Sequence, residues 1–163
     1  MMSANRLFVI TISIAVLCLT GCKRATEINV PEKLLIEVTG NNFEWHIRYA
    51  GLDETFGTRD DFLTRQNIAL IADTQTTIDL RSSDYLYSFS LPHLGLTEIA
   101  VPDLKFSLHF SANETGEFIL KGNQMCSYQH PKLLGKIHVL DRSGFASWLT
   151  TISSYDHSPT TAD

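Results

Sequence analysis

The chain has 163 residues, 44% of them hydrophobic and 19% charged, with 18 acidic against 13 basic side chains and a formal net charge of −5. That composition excludes a disordered polymer, and the acidic balance makes the chain a poor nucleic-acid binder. The length fits a leader plus one domain with a core of ordinary size.

Arg6 leads into the apolar run Leu7 to Leu19, which ends in Leu19-Thr20-Gly21-Cys22. The run is short of the ~20 apolar residues a membrane helix needs and has the layout of a secretory signal peptide. Leu-Thr-Gly-Cys is similar to a bacterial lipobox. The expectation is therefore a signal peptide over 1–21 and a diacylated Cys22 at the mature N-terminus. Residues 22–32 would be a lipid-anchored tether, 33–154 the domain and 155–163 a flexible tail. Such a protein belongs to the bacterial cell envelope, exposed to the periplasm or the outer face, with the membrane as its first partner. Cys18 leaves with the leader and Cys22 is alkylated, so Cys126 has no partner and a disulfide framework is excluded.

Short strands follow in sequence. Leu34 to Val38 precedes Gly40-Asn41, read as a turn, after which Phe43, Trp45, Ile47 and Tyr49 alternate with Glu44, His46 and Arg48 as a half-buried strand. Asp53, Glu54, Asp60 and Asp61 read as a solvated loop. Ile68 to Ile71, Thr77 to Leu80, Leu86 to Leu91, Phe106 to Phe110, Glu117 to Leu120 and Lys136 to Leu140 complete about eight strands. This spacing predicts an all-β sandwich or barrel. Phe145, Trp148, Leu149 and Ile152 recur at helical spacing after Ser143-Gly144 and predict one short C-terminal helix.

The loop Gly122-Asn123-Gln124-Met125-Cys126-Ser127-Tyr128-Gln129-His130 brings a soft thiol and an imidazole together, a pair that suits copper. With its flanks it resembles the copper A domain of cytochrome c oxidase subunit II, a cupredoxin-like Greek-key β-sandwich or barrel. Gly40 to Tyr49 resembles the family's aromatic strand, and Asp84-Tyr85-Leu86-Tyr87-Ser88-Phe89-Ser90-Leu91-Pro92 its Asp-x-x-His motif. Leu94-Gly95-Leu96, Ala100-Val101-Pro102, Thr115 to Phe118 and Phe145 to Trp148 continue the match over roughly residues 35 to 152.

The family's loop reads Cys-x-Glu-x-Cys-x-x-x-His-x-x-Met. Carried over position by position, the first cysteine is Gly122, the glutamate Gln124, the second cysteine Cys126, the histidine His130 and the methionine Leu133; the upstream histidine is Tyr87. The resemblance thus implies a degenerate site. Cys126 and His130 remain, the main-chain carbonyl of Gln124 is still available, and a binuclear centre cannot form from one thiol. The missing imidazole is sought in His93, near Tyr87 in sequence, or Tyr87 itself binds as a phenolate. His46 and His109 alternate with apolar neighbours and face outward, and Met125 reads as core filler. The electron-input tryptophan of the family corresponds to Phe43, while the next one is kept as Trp45, the electron-path candidate.

Three readings compete. One is a membrane-tethered respiratory electron-transfer domain with at most mononuclear copper; another is a copper-free structural or assembly subunit of a respiratory oxidase; the third is a periplasmic copper carrier. The resemblance implies oxidase subunits or a cytochrome as partners. No hydrolase triad, phosphate loop, zinc motif or haem attachment motif stands out, so turnover by the isolated chain is not expected.

Overall fold

The computed structural model describes residues 29–125 and 129–155. The signal peptide, the Cys22 lipidation site, Cys126 and the tail beyond residue 155 lie outside these residues.

Ten strands form two five-stranded sheets. In chain order they are β1 Leu34–Asn41, β2 Glu44–Tyr49, β3 Phe62–Arg65, β4 Ile68–Ile71, β5 Gln75–Ser82, β6 Tyr87–Leu91, β7 Leu96–Ala100, β8 Phe106–Ser111, β9 Gly116–Gln124 and β10 Gly135–Leu140. The strand orders are β3-β2-β1-β5-β8 and β4-β10-β9-β6-β7. The pairs β1·β5 and β4·β10 are parallel and the rest antiparallel. Parallel neighbours cannot be joined by a hairpin, and here the chain crosses between sheets to supply the connection.

Alternation puts Trp45, Ile47 and Tyr49 inside, with Ile36, Val38, Ile78 and Leu80 from the same sheet. Tyr87, Phe89 and Leu91 face them from β6, and all of β4 is buried. The two inner faces interdigitate into one core, which is the sandwich that the alternation predicts.

The hairpin turn lies two residues later than Gly40-Asn41 suggests. β1 runs through both, and Asn42 and Phe43 make the turn, each in the left-handed region with φ of 49° and 60°. Gly40 is required for a different reason: a Cβ there would overlap the ring of Tyr87. The short edge strand β3 and the strand β7 go beyond the sequence reading; both alternate between half-buried and exposed residues and carry a weak apolar signal.

Helix α1, Arg142–Tyr155, begins at Asp141, whose Oδ1 accepts from the Gly144 N–H at 2.6 Å and the Ser143 hydroxyl at 2.9 Å. This is an N-cap that satisfies helix donors otherwise left orphaned. Phe145 and Leu149 are buried against the sandwich. Arg142 donates to the carbonyls of Val30 and Pro31, and Val30 packs on the core, so domain packing starts just ahead of residue 33. Among the described residues no helix is long and apolar enough to cross a membrane.

Candidate functional site

β2, β6 and β9 meet at one end of the sandwich, beside the loop that carries His130. Register sets Tyr87 of β6 against Gln124 of β9, and Phe89 against Gly122. Trp45 is fully buried between them, edge-on to Tyr87 at 5.7 Å and to Phe89 at 5.2 Å between ring centroids. Its indole N–H donates to the carbonyl of Leu133 at 3.0 Å. A buried indole needs such an acceptor.

Asp84 organises the rim of this end. Its Oδ2 accepts from the Asn42 N–H at 2.7 Å, and its Oδ1 from the Tyr85 N–H at 2.7 Å and the Tyr87 hydroxyl at 2.8 Å. Burial acts to raise the carboxyl pKa, but these donors together outweigh it and hold the group below its ordinary value. The Tyr87 oxygen also accepts from the Phe43 N–H at 3.2 Å. Burial, opposed by that N–H and assisted by Asp84, pushes the phenol up to about 12. The phenolate form that would bind a metal is therefore disfavoured, and the hydroxyl is already engaged as donor and acceptor.

His130 is half-buried at the start of a 3-10 turn, Pro131–Leu133, with its carbonyl accepting from the Leu133 N–H at 3.0 Å. Its imidazole stacks on Phe43 with centroids 4.0 Å apart and planes 15° from parallel. Phe43 also stacks on Tyr85 at 5.2 Å. His130, Phe43, Tyr85, Tyr87 and Trp45 thus form one aromatic cluster that runs from a half-exposed surface to the core. Asp84 and Phe43 acquire their importance from this cluster. The sequence offered the Asp-x-x-Tyr spacing as a signal for the first, but none for the stacking.

Of the other candidates, Gln124 ends β9 directly opposite Tyr87, so its backbone is at this end of the sandwich. His93 is not brought to His130. It follows the opposite end of β6 and stacks on Phe118 at 3.4 Å; β6 alone separates its ends by roughly 13 Å at the ordinary strand rise. Met125 is 42% exposed, which corrects its reading as core filler; the β9 ladder has ended there and the backbone N–H bonds to the Leu86 carbonyl instead. His109 is exposed and bonded to the Thr77 hydroxyl at 3.0 Å, and His46 lies on the outer sheet face beside Glu44. Lys132 lies 3.9 Å from Glu44. Among the described residues no group of three His, Cys, Asp or Glu is placed to hold a metal ion.

The positions that resemble the binuclear ligands do not fit that group. A Cβ at Gly122 would lie 2.6 Å from both the Trp45 indole nitrogen and the Leu133 carbonyl oxygen, so a side chain there forces the neighbours to move. Leu133 is fully buried in the core and contributes an apolar side chain where the family has a thioether. His130 is the imidazole that meets the cluster among the described residues, with the Gln124 carbonyl as a further donor, while His46 lies at the same end on the outer sheet face.

No family model matches the chain. In sequence it is 26% identical over 125 residues to cytochrome c oxidase subunit 2 of Alkalihalophilus pseudofirmus, covering 77% of this chain and 34% of that protein. It is 26% identical over 94 residues to cytochrome c oxidase subunit 2 of Cereibacter sphaeroides, covering 56% of this chain and 31% of that protein. The chain thus spans about a third of the length of the curated relatives it matches. In structure it matches the periplasmic domain of subunit II of cytochrome oxidase from Bradyrhizobium japonicum with a TM-score of 0.64 and 20% identity, covering 78% of this chain and 98% of that domain. The chain resembles cytochrome c oxidase subunit II, and its fold is the cupredoxin-like β-sandwich of that subunit's periplasmic domain.

Proposed function

We propose that this chain is an envelope-exposed respiratory electron-transfer domain of the cytochrome c oxidase subunit II type, with its copper centre reduced to at most one ion. Cys126 and His130 would hold that ion, with the Gln124 carbonyl as a third donor. The observation that carries the reading is the closure around Gly122, where the Trp45 indole and the Leu133 carbonyl stand within 2.6 Å of the first atom any side chain would add. One thiol, one imidazole and a carbonyl suit a single soft ion and do not suffice for two. Trp45, bonded to the carbonyl three residues after His130, keeps a short route from the core to the ligand loop.

The names of the relatives support oxidase subunits or a cytochrome as partners, and the Leu-Thr-Gly-Cys22 signal supports a lipid anchor in the bacterial envelope. Protein exported to a copper-supplied periplasm should carry no more than one copper per chain and lose it on Cys126→Ser. Two coppers per chain would overturn the reduced site, and a wild type with none would leave the copper-free subunit reading. Tagged protein taken from solubilised membranes should bring a haem-containing oxidase with it; recovery with no haem protein would overturn the respiratory assignment. Palmitate incorporation that survives Cys22→Ala would overturn the anchor.

A further inference from the structure

The turn between β1 and β2 is built against local preference. Two-residue hairpin loops with positive φ at both positions favour Asn first and Gly second, and here the second position is Phe43 at φ 60°. A bulky residue in the left-handed region is a true outlier, which persists only where its surroundings over-determine it. Two hydrogen bonds do so here: Asp84 takes the Asn42 N–H, and the Tyr87 oxygen takes the Phe43 N–H while its hydroxyl donates to Asp84. Tyr87 cannot drift, because its ring is fully buried against Trp45 and over Gly40. The Phe43 ring is left facing the His130 imidazole, nearly parallel at 4.0 Å.

We propose that Asp84 and Tyr87 are positioning residues for His130, acting through Phe43: they fix the strained turn, the turn fixes the phenyl ring, and the ring fixes the plane of the imidazole. The geometry stands without any metal. Its consequence for copper rests on the reading of His130 as a ligand, since an imidazole held in one plane presents its nitrogen in one direction.

The test uses NMR of the His130 ring protons in metal-free full chain. Stacking on Phe43 displaces them upfield, and Phe43→Leu should abolish that displacement. Tyr87→Phe, which removes only the oxygen, and Asp84→Ala should each move the His130 signals part of the way downfield, with the His109 and His138 signals unchanged. Asp84→Asn, which keeps an acceptor for the tyrosine, should return them towards the wild-type position. Should Asp84→Ala fail to fold, Tyr87→Phe decides. His130 signals that stay at their wild-type positions in folded Tyr87→Phe overturn the proposal. Cu(I) competition titration then tests the consequence, with about tenfold weaker binding expected in Tyr87→Phe. A wild type that binds no Cu(I) overturns the copper reading and leaves the NMR result to decide the positioning role.

Discussion

One strand carries the two contrasting ends of this molecule. Trp45 and Tyr49 lie on the same inner face of β2, roughly 13 Å apart at the ordinary strand rise, and both are fully buried aromatics with a polar atom to satisfy. Tyr49 sits under α1, edge-on to Trp148 at 5.3 Å and Phe145 at 6.1 Å, and its hydroxyl accepts from the Ala69 N–H at 2.8 Å and donates to the Ala69 carbonyl at 3.2 Å. The Tyr49 hydroxyl is thus paired twice within the core, and a phenol so enclosed is driven well above its ordinary pKa by burial. Trp45 sits instead beside two glycines, in a cluster that ends in a left-handed phenylalanine stacked on a half-buried histidine. The helix end resembles a structural lock. The loop end keeps a strained turn and the exposed Tyr85 ring, and strain of that kind clusters at functional sites.

The largest effect that separates the ends should come from Trp45→Ala. The change removes a wholly buried indole and leaves the Leu133 carbonyl without its donor, at a cost of about 3–5 kcal/mol. Urea unfolding measures it. If the loss is below about 1 kcal/mol, the cluster is not packed as described.

Removing one oxygen at each end gives the sharper comparison. Tyr49→Phe strands both polar groups of Ala69 in the core and should cost about 1–3 kcal/mol. Tyr87→Phe releases the part-buried Phe43 N–H and one of three donors to the exposed Asp84 carboxylate, groups that water can partly re-satisfy, and should cost less, about 0.5–1.5 kcal/mol. Equal costs would break the distinction between a sealed end and a solvent-accessible one.

How much of this was legible depended on which physical rule governed each residue. Period-two alternation exposed Trp45, Ile47 and Tyr49 as one inner face, and the 145–152 spacing exposed α1, because burial decided both. Gly40-Asn41 has the composition of a turn, whereas the glycine serves the Tyr87 ring and the turn falls on Asn42-Phe43 against its own propensity. Sequence nearness groups His93 with Tyr87, but β6 carries them to opposite ends. His130 was readable as a candidate from its loop. Its stacking partner was not, because Phe43 reaches it only through a conformation no sequence pattern favours.

Acid should distinguish the ends next, with a smaller effect. The Asp84 carboxyl has a depressed pKa in the folded chain, so its stabilisation is present above the unfolded value of about 3.9 and is lost as pH falls through the lower folded value. The stability difference between wild type and Asp84→Asn should therefore be constant near neutrality and shrink below about pH 4. The Tyr49→Phe difference should hold across the same range, since no carboxylate hydrogen-bonds to that hydroxyl among the described residues. A Tyr49→Phe difference that shrinks in parallel would place the acid sensitivity elsewhere.

A modest stability effect should accompany the clearest local one. Phe43→Gly relieves a left-handed side chain, worth about 1–2 kcal/mol, and forfeits stacking worth about 0.5–1.5 kcal/mol together with the burial of a half-buried ring, worth roughly 1 kcal/mol more; the greater freedom of glycine in the unfolded chain offsets part of the relief. The losses exceed the relief only modestly, so unfolding should shift by about 1 kcal/mol. The His130 ring signals, by contrast, should lose their displacement entirely, because nothing else among the described rings stacks on that imidazole. That pair of outcomes, a modest change in stability beside a complete loss of the ring-induced displacement, is what the proposed positioning role requires of Phe43.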